Sequence, residues 1–581
     1  MNFKNKLRAA ILVFALAMFT LAFAACGNGG DDTTTTPDDT STVTGDQGAQ
    51  DTTGNDAADP AVGPVDAQSF RGLPADTAGE LTIMMWGGDD SLHRDIGGRI
   101  IPGDELGGIN VAAIHAVARE FNTMFPNIRI NLFSQSGDPD RDYTPWEQHR
   151  ENFYIEHGLR PDIFTVTDLV GDIMRGQVAD LSVFEDDPRF QQFNSSIMGM
   201  MNFEGRQFAM PQYMIPAGVF VNRDLANQNN IDIPPINWTW EQYLAFVSHH
   251  SVEEWYGSLS PPWNIMNTGT RDIQYQLVNR GPNDPFVNID TEANREFIRD
   301  VARIVPHAMW NQRNSGNISD EFMAANGWWS WFFFARGSSL TLNVNSYMMG
   351  YAAIEGGGMA VESPDWDIFP RPSTAHVGNH IGVVLDPMAI HNYAGGTGVM
   401  TPEQELQLRM AWEFVVFLTG NTRSFEVRQD QIWYDSAGAS RTALNPSMSF
   451  VTGQPFYDQM EIWGRDPARA RFMDASLMPG WQRVMELWEQ GQFWEVSDKS
   501  FPWTHEFEGG RRAIWHEWGS RHTEATTGAP EHEPQWVDLA ISLMPEWDRV
   551  INERWAQAFE DLSGAIGRFY PVQPRFEVTH H

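Results

Sequence analysis

The sequence is poor in cysteine and in positive charge. Its 581 residues include a single cysteine, so no disulfide can form within the chain. Only 39 lysines and arginines stand against 76 aspartates and glutamates, which gives a formal net charge of −37. A chain this acidic has no basic surface to replace counterions at nucleic-acid phosphates or to dock on anionic lipid. We therefore expect no nucleic-acid partner.

Common catalytic motifs are also missing from the sequence. There is no Walker A loop and no G-x-S-x-G elbow, and the near-match to the metalloprotease motif H-E-x-x-H at residues 516–520 ends in serine. Asp138, Asp140 and Asp142 alternate as in calcium loops, but the following glycine and the distal glutamate are absent, so we predict a solvated turn. We expect no metal, no cofactor and no enzymatic activity.

The first 26 residues have the features of an export signal. A basic start is followed by an apolar run over residues 9–25, which ends in small residues at Cys26. The segment Leu21-Ala22-Phe23-Ala24-Ala25-Cys26 resembles a bacterial lipobox, which implies removal of residues 1–25 and acylation of Cys26. The protein would then be anchored by lipid to the outer face of the cell membrane. The alternative is a plain signal peptide with an incidental cysteine.

Residues 26–79 form an acidic tract rich in Thr, Asp and Gly. This tract has too little apolar content to pack, so we predict a disordered linker between the anchor and the folded part. The remaining chain is long enough to need more than one hydrophobic core.

The folded part begins with an alternation of strands and helices. Strands are predicted over 81–86, 128–133 and 161–168, with helices over 111–125 and 169–177 between and after them. This order predicts an open parallel α/β sheet, in which ligands bind beyond the carboxyl ends of strands. The candidate ligand-binding residues at those ends are Trp86, Asp89, Thr167 and Asp168.

Residues 202–247 carry three further local signals. A turn is predicted at Gly205, an apolar strand over 217–221, and a helix that starts at the N-cap Thr239 with Gln242 three positions later. Between the turn and the strand, the chain passes through Pro211 and Tyr213, a segment suited to a hinge.

The motifs of residues 80–500 occur in an order that resembles the extracellular solute-binding proteins of ABC importers, in particular the large sugar-binding family (family 1 type). The matching segments are Phe121-Asn122, Phe125-Pro126-Asn127-Ile128, Pro161-Asp162-Ile163-Phe164, Phe208, Pro211, Tyr213, Asn222, Asp224-Leu225, Thr239-Trp240-Glu241 and residues 366–372, 378–390 and 411–420. Residues 91–110 depart from the family pattern as a Gly-rich insertion.

The resemblance implies a two-lobed periplasmic-binding-protein-like fold of type II, with a mixed or parallel sheet flanked by helices in each lobe. Residues 80–210 and 374–440 would form the N-terminal lobe, and residues 211–373 and 441–581 the C-terminal lobe. Hinges would lie near Pro211 and Pro370. The protein would act as a monomer that delivers a solute to ABC permease subunits in the membrane.

The ligand implied by the resemblance is an oligosaccharide, bound in the cleft between the lobes. The 23 tryptophans fit this, since indole faces cover the apolar faces of sugar rings, although ordinary core packing explains most of them. Further candidate ligand-binding residues are Tyr213, Trp263, Asn345, Tyr347, Trp366, His380 and Trp433. Trp238 and Trp240 are expected in helix-entry packing instead.

Two alternatives to a sugar-binding protein stay open. One is a secreted glycoside hydrolase, which needs two carboxylates at a defined separation; acids are plentiful, but the sequence defines no pair. The other is a receptor of the same fold for peptides or other non-sugar solutes.

Overall fold

The computed structural model describes nine stretches of the chain: residues 72–85, 94–95, 109–134, 150–258, 290–345, 365–434, 441–443, 447–495 and 533–571, with short gaps inside several of them. The predicted leader, Cys26 and nearly all of the predicted linker lie outside these residues. Among the helices of the described stretches, none is long and apolar enough to cross a membrane.

Within the described residues, one mixed sheet has eleven strands, and two two-stranded sheets stand apart from it. The strands are β1 Gly79–Met85, β2 Arg94–Asp95, β3 Ile128–Ser134, β4 Ile163–Thr165, β5 Asn202–Phe203, β6 Arg206–Gln207, β7 Met210–Asn222, β8 His250–Ser251, β9 Trp255–Ser258, β10 Ser339–Asn345, β11 Trp366–Phe369, β12 Ile381–Ile390, β13 Ile432–Tyr434, β14 Arg441–Ala443 and β15 Phe493–Glu495. The main sheet has the order β2-β3-β1-β4-β12-β7-β10-β9-β8, with β11 beside β7 and β15 beside β12.

Helices pack against the main sheet. They are α1 Ile109–Met124, α2 Leu169–Met174, α3 Ser195–Gly199, α4 Arg223–Gln228, α5 Trp240–Val247, α6 Glu292–Ile304, α7 Asp320–Asn326, α8 Pro402–Gly420, α9 Thr422–Gln429, α10 Gln454–Trp463, α11 Pro479–Glu489 and α12 Glu533–Phe569. Helices on a mixed sheet confirm the predicted α/β class.

The sheet divides into two lobes. In the first lobe, β1 pairs in parallel with β3 and β4, as the strand and helix alternation predicts. In the second lobe, β7 pairs antiparallel with β10 and β11, and β10 pairs in parallel with β9. The two lobes share β7 and β12, which pair antiparallel with one another.

Strand β7 is longer than the sequence predicts. The predicted crossing at Pro211 and the predicted strand over 217–221 belong to one continuous strand of 13 residues. Pro211 lies opposite Pro387 in β12, where the register shifts. Two prolines are accommodated there because neither has an N–H to donate, and an irregularity in the ladder tolerates the missing hydrogen bonds.

Two local predictions are confirmed, the start of α5 and the turn at Gly205. Thr239 and Gln242 form a capping box at the start of α5. Thr401 and Gln404 form a second capping box at the start of α8. The turn between β5 and β6 has φ of 52° at Glu204 and 75° at Gly205, the backbone sign that a tight hairpin turn requires and that glycine adopts without strain.

Aromatic side chains fill the cores of both lobes. In the first lobe, the ring of Phe121 from α1 contacts the rings of Phe414 and Phe417 from α8 at 5.3 and 5.8 Å. In the second lobe, the ring of Trp481 stacks 6.0 Å from that of Trp463 and meets Phe472 edge-on at 5.1 Å.

Helix α12 has 37 residues and touches both lobes. It contacts α6 of the second lobe and α2 of the first. At its carboxyl end the Tyr570 hydroxyl donates to the carbonyl of Ile173, and the Tyr570 ring packs edge-on against Phe208. This contact joins the predicted C-terminal lobe, which includes residues 441–581, to α2 of the first lobe.

Candidate functional site

The strand directions define where the two lobes face each other. Strand β12 runs from the second lobe into the first and is antiparallel to β4, with Met388 opposite Thr165. The carboxyl ends of β4 and of its parallel neighbours β1 and β3 therefore point towards the second lobe. In the second lobe, β10 and β11 run antiparallel to β7, so their carboxyl ends point back towards the first. The ends of these five strands meet at the crossing strands and define a candidate interlobe cleft.

The first-lobe side of this cleft is fixed to the crossing strands by hydrogen bonds. The Thr165 hydroxyl donates to Oε1 of Gln212 at 2.8 Å, and the backbone N–H of Val166 donates to the carbonyl of Pro387 at 2.8 Å. Gln212 is only 2% exposed, and its Nε2 has no hydrogen-bond partner among the described residues. A buried amide donor left in this state has unused binding capacity.

The sequence pattern predicts a binding role for Tyr213 but not for its neighbour Gln212. The contact of Gln212 with Thr165 joins residues 47 positions apart, so the local sequence carried no signal for it.

Asp168 serves as the N-cap of α2. Its Oδ1 accepts from the backbone N–H of Gly171 at 2.9 Å, and its Oδ2 lies 3.8 Å from a guanidinium nitrogen of Arg175. The carboxylate therefore stabilises the first turn of α2 in this structure. Next to it, Arg150 forms a buried ion pair with Asp172 at 2.6 Å, which ties α2 to the segment before β4.

Two basic side chains lie where β11 leads into β12. The backbone N–H of Arg371 donates to the carbonyl of His380 at 2.8 Å within an antiparallel bridge. Residues opposite each other in such a bridge carry their side chains on the same face, with Cβ atoms about 5 Å apart. His380 is 1% exposed, with Nδ1 3.0 Å from the carbonyl oxygen of Gly378. Arg371 is 9% exposed, and burial lowers its pKa to about 10.

The sequence predicts His380 as a ligand-binding residue but not Arg371. The signal available was the position of Arg371 between Pro370 and Pro372 in the predicted return crossing, an unusual place for a base in a chain with so few.

Core packing accounts for the positions of Trp366 and Trp238. Trp366 is 1% exposed in β11, between the ring of Phe220 and that of Phe472, with the Arg471 guanidinium 4.3 Å above its own ring. Its ring is enclosed in the core of the second lobe in this structure. Trp238 is also fully buried and donates to the carbonyl of Pro370 at 2.7 Å, which confirms its predicted packing role.

The other predicted residues are placed only in part. The backbones of Tyr213, Asn345 and Trp433 lie in β7, β10 and β13, and Asn345 pairs with Ala217 at the cleft end of β10. Their side chains lie outside the described part of the structure, as do the residues Trp86, Asp89, Thr167, Trp263 and Tyr347 and the lipidation candidate Cys26.

Comparisons with known proteins give likenesses of structure but not of sequence. No family model and no curated protein matches the sequence. Among solved structures, a substrate-binding protein of an ABC transporter from Listeria monocytogenes, in complex with cycloalternan, is 13% identical over 84% of this chain and 100% of that chain, with a TM-score of 0.48. A sugar transporter protein from Rhizobium etli in an open conformation is 14% identical over 80% and 99%, with a TM-score of 0.49.

A family 1 extracellular solute-binding protein from Alicyclobacillus acidocaldarius is 12% identical, over 82% of this chain and 99% of that chain, with a TM-score of 0.48. These structures are of the group that the sequence motifs resemble. The fold class of this chain follows from its own sheet order and its two crossing strands.

Proposed function

We propose that the protein binds an extracellular solute, most simply an oligosaccharide, in the interlobe cleft and delivers it to an ABC permease without chemical change. The observation that carries this proposal is the meeting of strand ends from both lobes at β7 and β12. Such an arrangement places backbone and side-chain polar groups of two bodies around one ligand.

Capture would proceed by closure of the lobes around the crossing strands. A ligand that contacts both lobes binds the closed state better than the open one, so it shifts the population towards closure. A lipid on Cys26 and the acidic linker would hold the receptor at the outer face of the membrane, within reach of the permease. The lipid anchor, the linker and the permease partner are proposed from the sequence motifs alone.

The proposal is tested by thermal unfolding with a panel of sugars. The panel starts with cycloalternan and ribitol, the ligands named for similar structures from Listeria monocytogenes and Agrobacterium radiobacter. A ligand that binds only the folded state at 100 times its Kd stabilises it by about 2.7 kcal/mol, so the melting temperature rises with concentration.

Product analysis of the same mixtures separates binding from catalysis. Recovery of the unchanged sugar together with a rise in melting temperature supports a binding protein. Hydrolysis of a panel member would identify a glycan-active enzyme instead. A rise in melting temperature only with peptides or other non-sugar solutes would show that the ligand is not a sugar.

A further inference from the structure

Arg371 is a recessed arginine without a compensating acid in the described part of the chain. Burial is the cause of its lowered pKa, with no carboxylate acting against that effect. The residue keeps 9% of its surface, so the group is recessed but not sealed from solvent. A guanidinium cannot escape this situation by losing its proton near neutral pH, because its pKa of about 10 stays far above 7.

Several other recessed arginines have a close carboxylate as partner, whereas Arg469, which is 1% exposed with a pKa lowered by burial, donates to Oε1 of Gln429 and lies near the charge of Asp466. The pairs are Arg150–Asp172 at 2.6 Å, Arg189–Asp187 at 2.6 Å, Arg189–Glu413 at 2.7 Å and Arg206–Asp180 at 3.1 Å. With 76 acids for 39 bases, the chain has a carboxylate available for nearly any arginine. An uncompensated guanidinium is therefore a costly exception.

The position of Arg371 points to a ligand as the missing partner. It follows the carboxyl end of β11, one of the two second-lobe strands that end at the cleft. Its bridge with His380 places a second basic side chain beside it on the same face. Five guanidinium donors in a planar fork match the two oxygens of a carboxylate, which they bind bidentately.

We propose that Arg371, with His380 beside it, binds a carboxylate of the solute, so that the preferred ligand is an oligosaccharide containing uronic acid. This inference rests on the proposed sugar-binding function and names the chemical class of its ligand. The rest of the chain is strongly acidic and repels an anion at long range, so recognition depends on the local positive charge of Arg371.

The test compares matched acidic and neutral ligands on the full-length chain. Oligomers of galacturonate, glucuronate and mannuronate are titrated by calorimetry beside the methyl esters of the same oligomers, which keep the sugar rings and remove the charge. The wild type is expected to bind one acidic oligomer about 10- to 100-fold more tightly than its ester, the range for a charge-assisted hydrogen-bonded contact.

Substitutions at Arg371 then separate recognition from structure. R371M is expected to bring the acid down to the affinity of the ester, and R371K to give an intermediate loss, since lysine keeps the charge without the fork. In the absence of ligand, R371M is expected to melt at the same temperature as the wild type or higher, because an unpaired buried cation is removed. Arg465→Met, which removes an exposed arginine, is the matched control and should leave the acid preference unchanged.

The outcomes distinguish this inference from the function on which it rests. Equal affinity for acid and ester in the wild type, or a lowered melting temperature in R371M, overturns the carboxylate site while sugar binding stands. Failure of every acidic and neutral sugar to bind overturns the proposed function, and the carboxylate site with it.

Discussion

At the scale of single residues, some buried charges stabilise the fold through ion pairs, whereas Arg371 has no carboxylate near it among the described residues. Arg189 belongs to the first kind, since its guanidinium contacts both Asp187 and Glu413. Burial alone would lower its pKa, but the hydrogen bonds and charges of Glu413 and Asp187 outweigh that effect and raise it. Glu413 also accepts from the backbone N–H of Gly72 at 3.0 Å, so the start of the folded part depends on the same carboxylate.

Replacement of Glu413 by alanine is expected to lower the free energy of unfolding by about 3 kcal/mol, because it leaves a buried cation short of one partner. Urea unfolding at constant m-value measures this change. Glu426→Ala is the control, since Glu426 pairs with the exposed Arg423 and Arg465 and such pairs contribute about 1 kcal/mol or less. Equal losses in the two variants would contradict a structural role for the buried network.

His391 gives the protein a predictable response to acid. Burial, together with the nearby charge of Arg160, lowers its pKa to about 4. Below pH 6.5 the unfolded chain takes up a proton that folded His391 refuses, so stability falls as the pH falls from 6.5 to 4. The loss attributable to this side chain is at most about 3 kcal/mol.

The measurement is the free energy of unfolding of the wild type and of His391→Gln between pH 7 and 4. The variant is expected to lose less stability on acidification than the wild type. Asp162 has a pKa raised by burial and so contributes in the opposite direction, but it is present in both proteins and cancels in the comparison. Parallel pH profiles would show that His391 is not responsible.

At the scale of elements, helix starts are set by residues close in sequence. In α8, the Thr401 hydroxyl accepts from the N–H of Gln404 at 3.3 Å while the Gln404 side chain accepts from the N–H of Thr401 at 2.9 Å. Thr401→Ala is expected to lower the free energy of unfolding by about 1 kcal/mol, and Thr401→Ser to restore most of it. Thermal unfolding of the three proteins provides the check, and a serine variant no better than alanine would contradict the capping role.

Features that depend on residues close in sequence could be predicted from the sequence, whereas features that depend on distant partners could not. The starts of α5 and α8 and the β5–β6 turn depend on residues within one turn of each other, so they were predictable. The length of β7 depends on partners in β10, β11 and β12, which are more than a hundred residues away. Arg371 was missed for a related reason: its place between Pro370 and Pro372 was visible in the sequence, but the lack of a nearby carboxylate shows only in the fold.

At the scale of the whole molecule, the proposed closure must accommodate every segment that joins the lobes. Strands β7 and β12 pair with each other where they pass between the lobes, whereas α12 contacts α6 in one lobe and α2 in the other. Pro545 inside α12 removes a backbone hydrogen bond and lets the helix bend. The carboxyl end of α12 packs on the first lobe, so the helix links α2 of that lobe to α6 of the second.

Tyr570 fixes the carboxyl end of α12 to the first lobe. Its ring packs against Phe208, its hydroxyl donates to the carbonyl of Ile173, and its backbone carbonyl accepts from the Arg206 guanidinium at 2.5 Å. Tyr570→Ala removes a buried ring and is expected to lower the free energy of unfolding by about 3 kcal/mol. Amide hydrogen exchange should rise along the last turns of α12 and in α2, while β1 and β3 stay protected, because a local anchor opens without unfolding the sheet. Tyr457→Ala, at an exposed tyrosine, is the control. Unchanged exchange in α2 of the Tyr570 variant would show that α12 does not hold the first lobe.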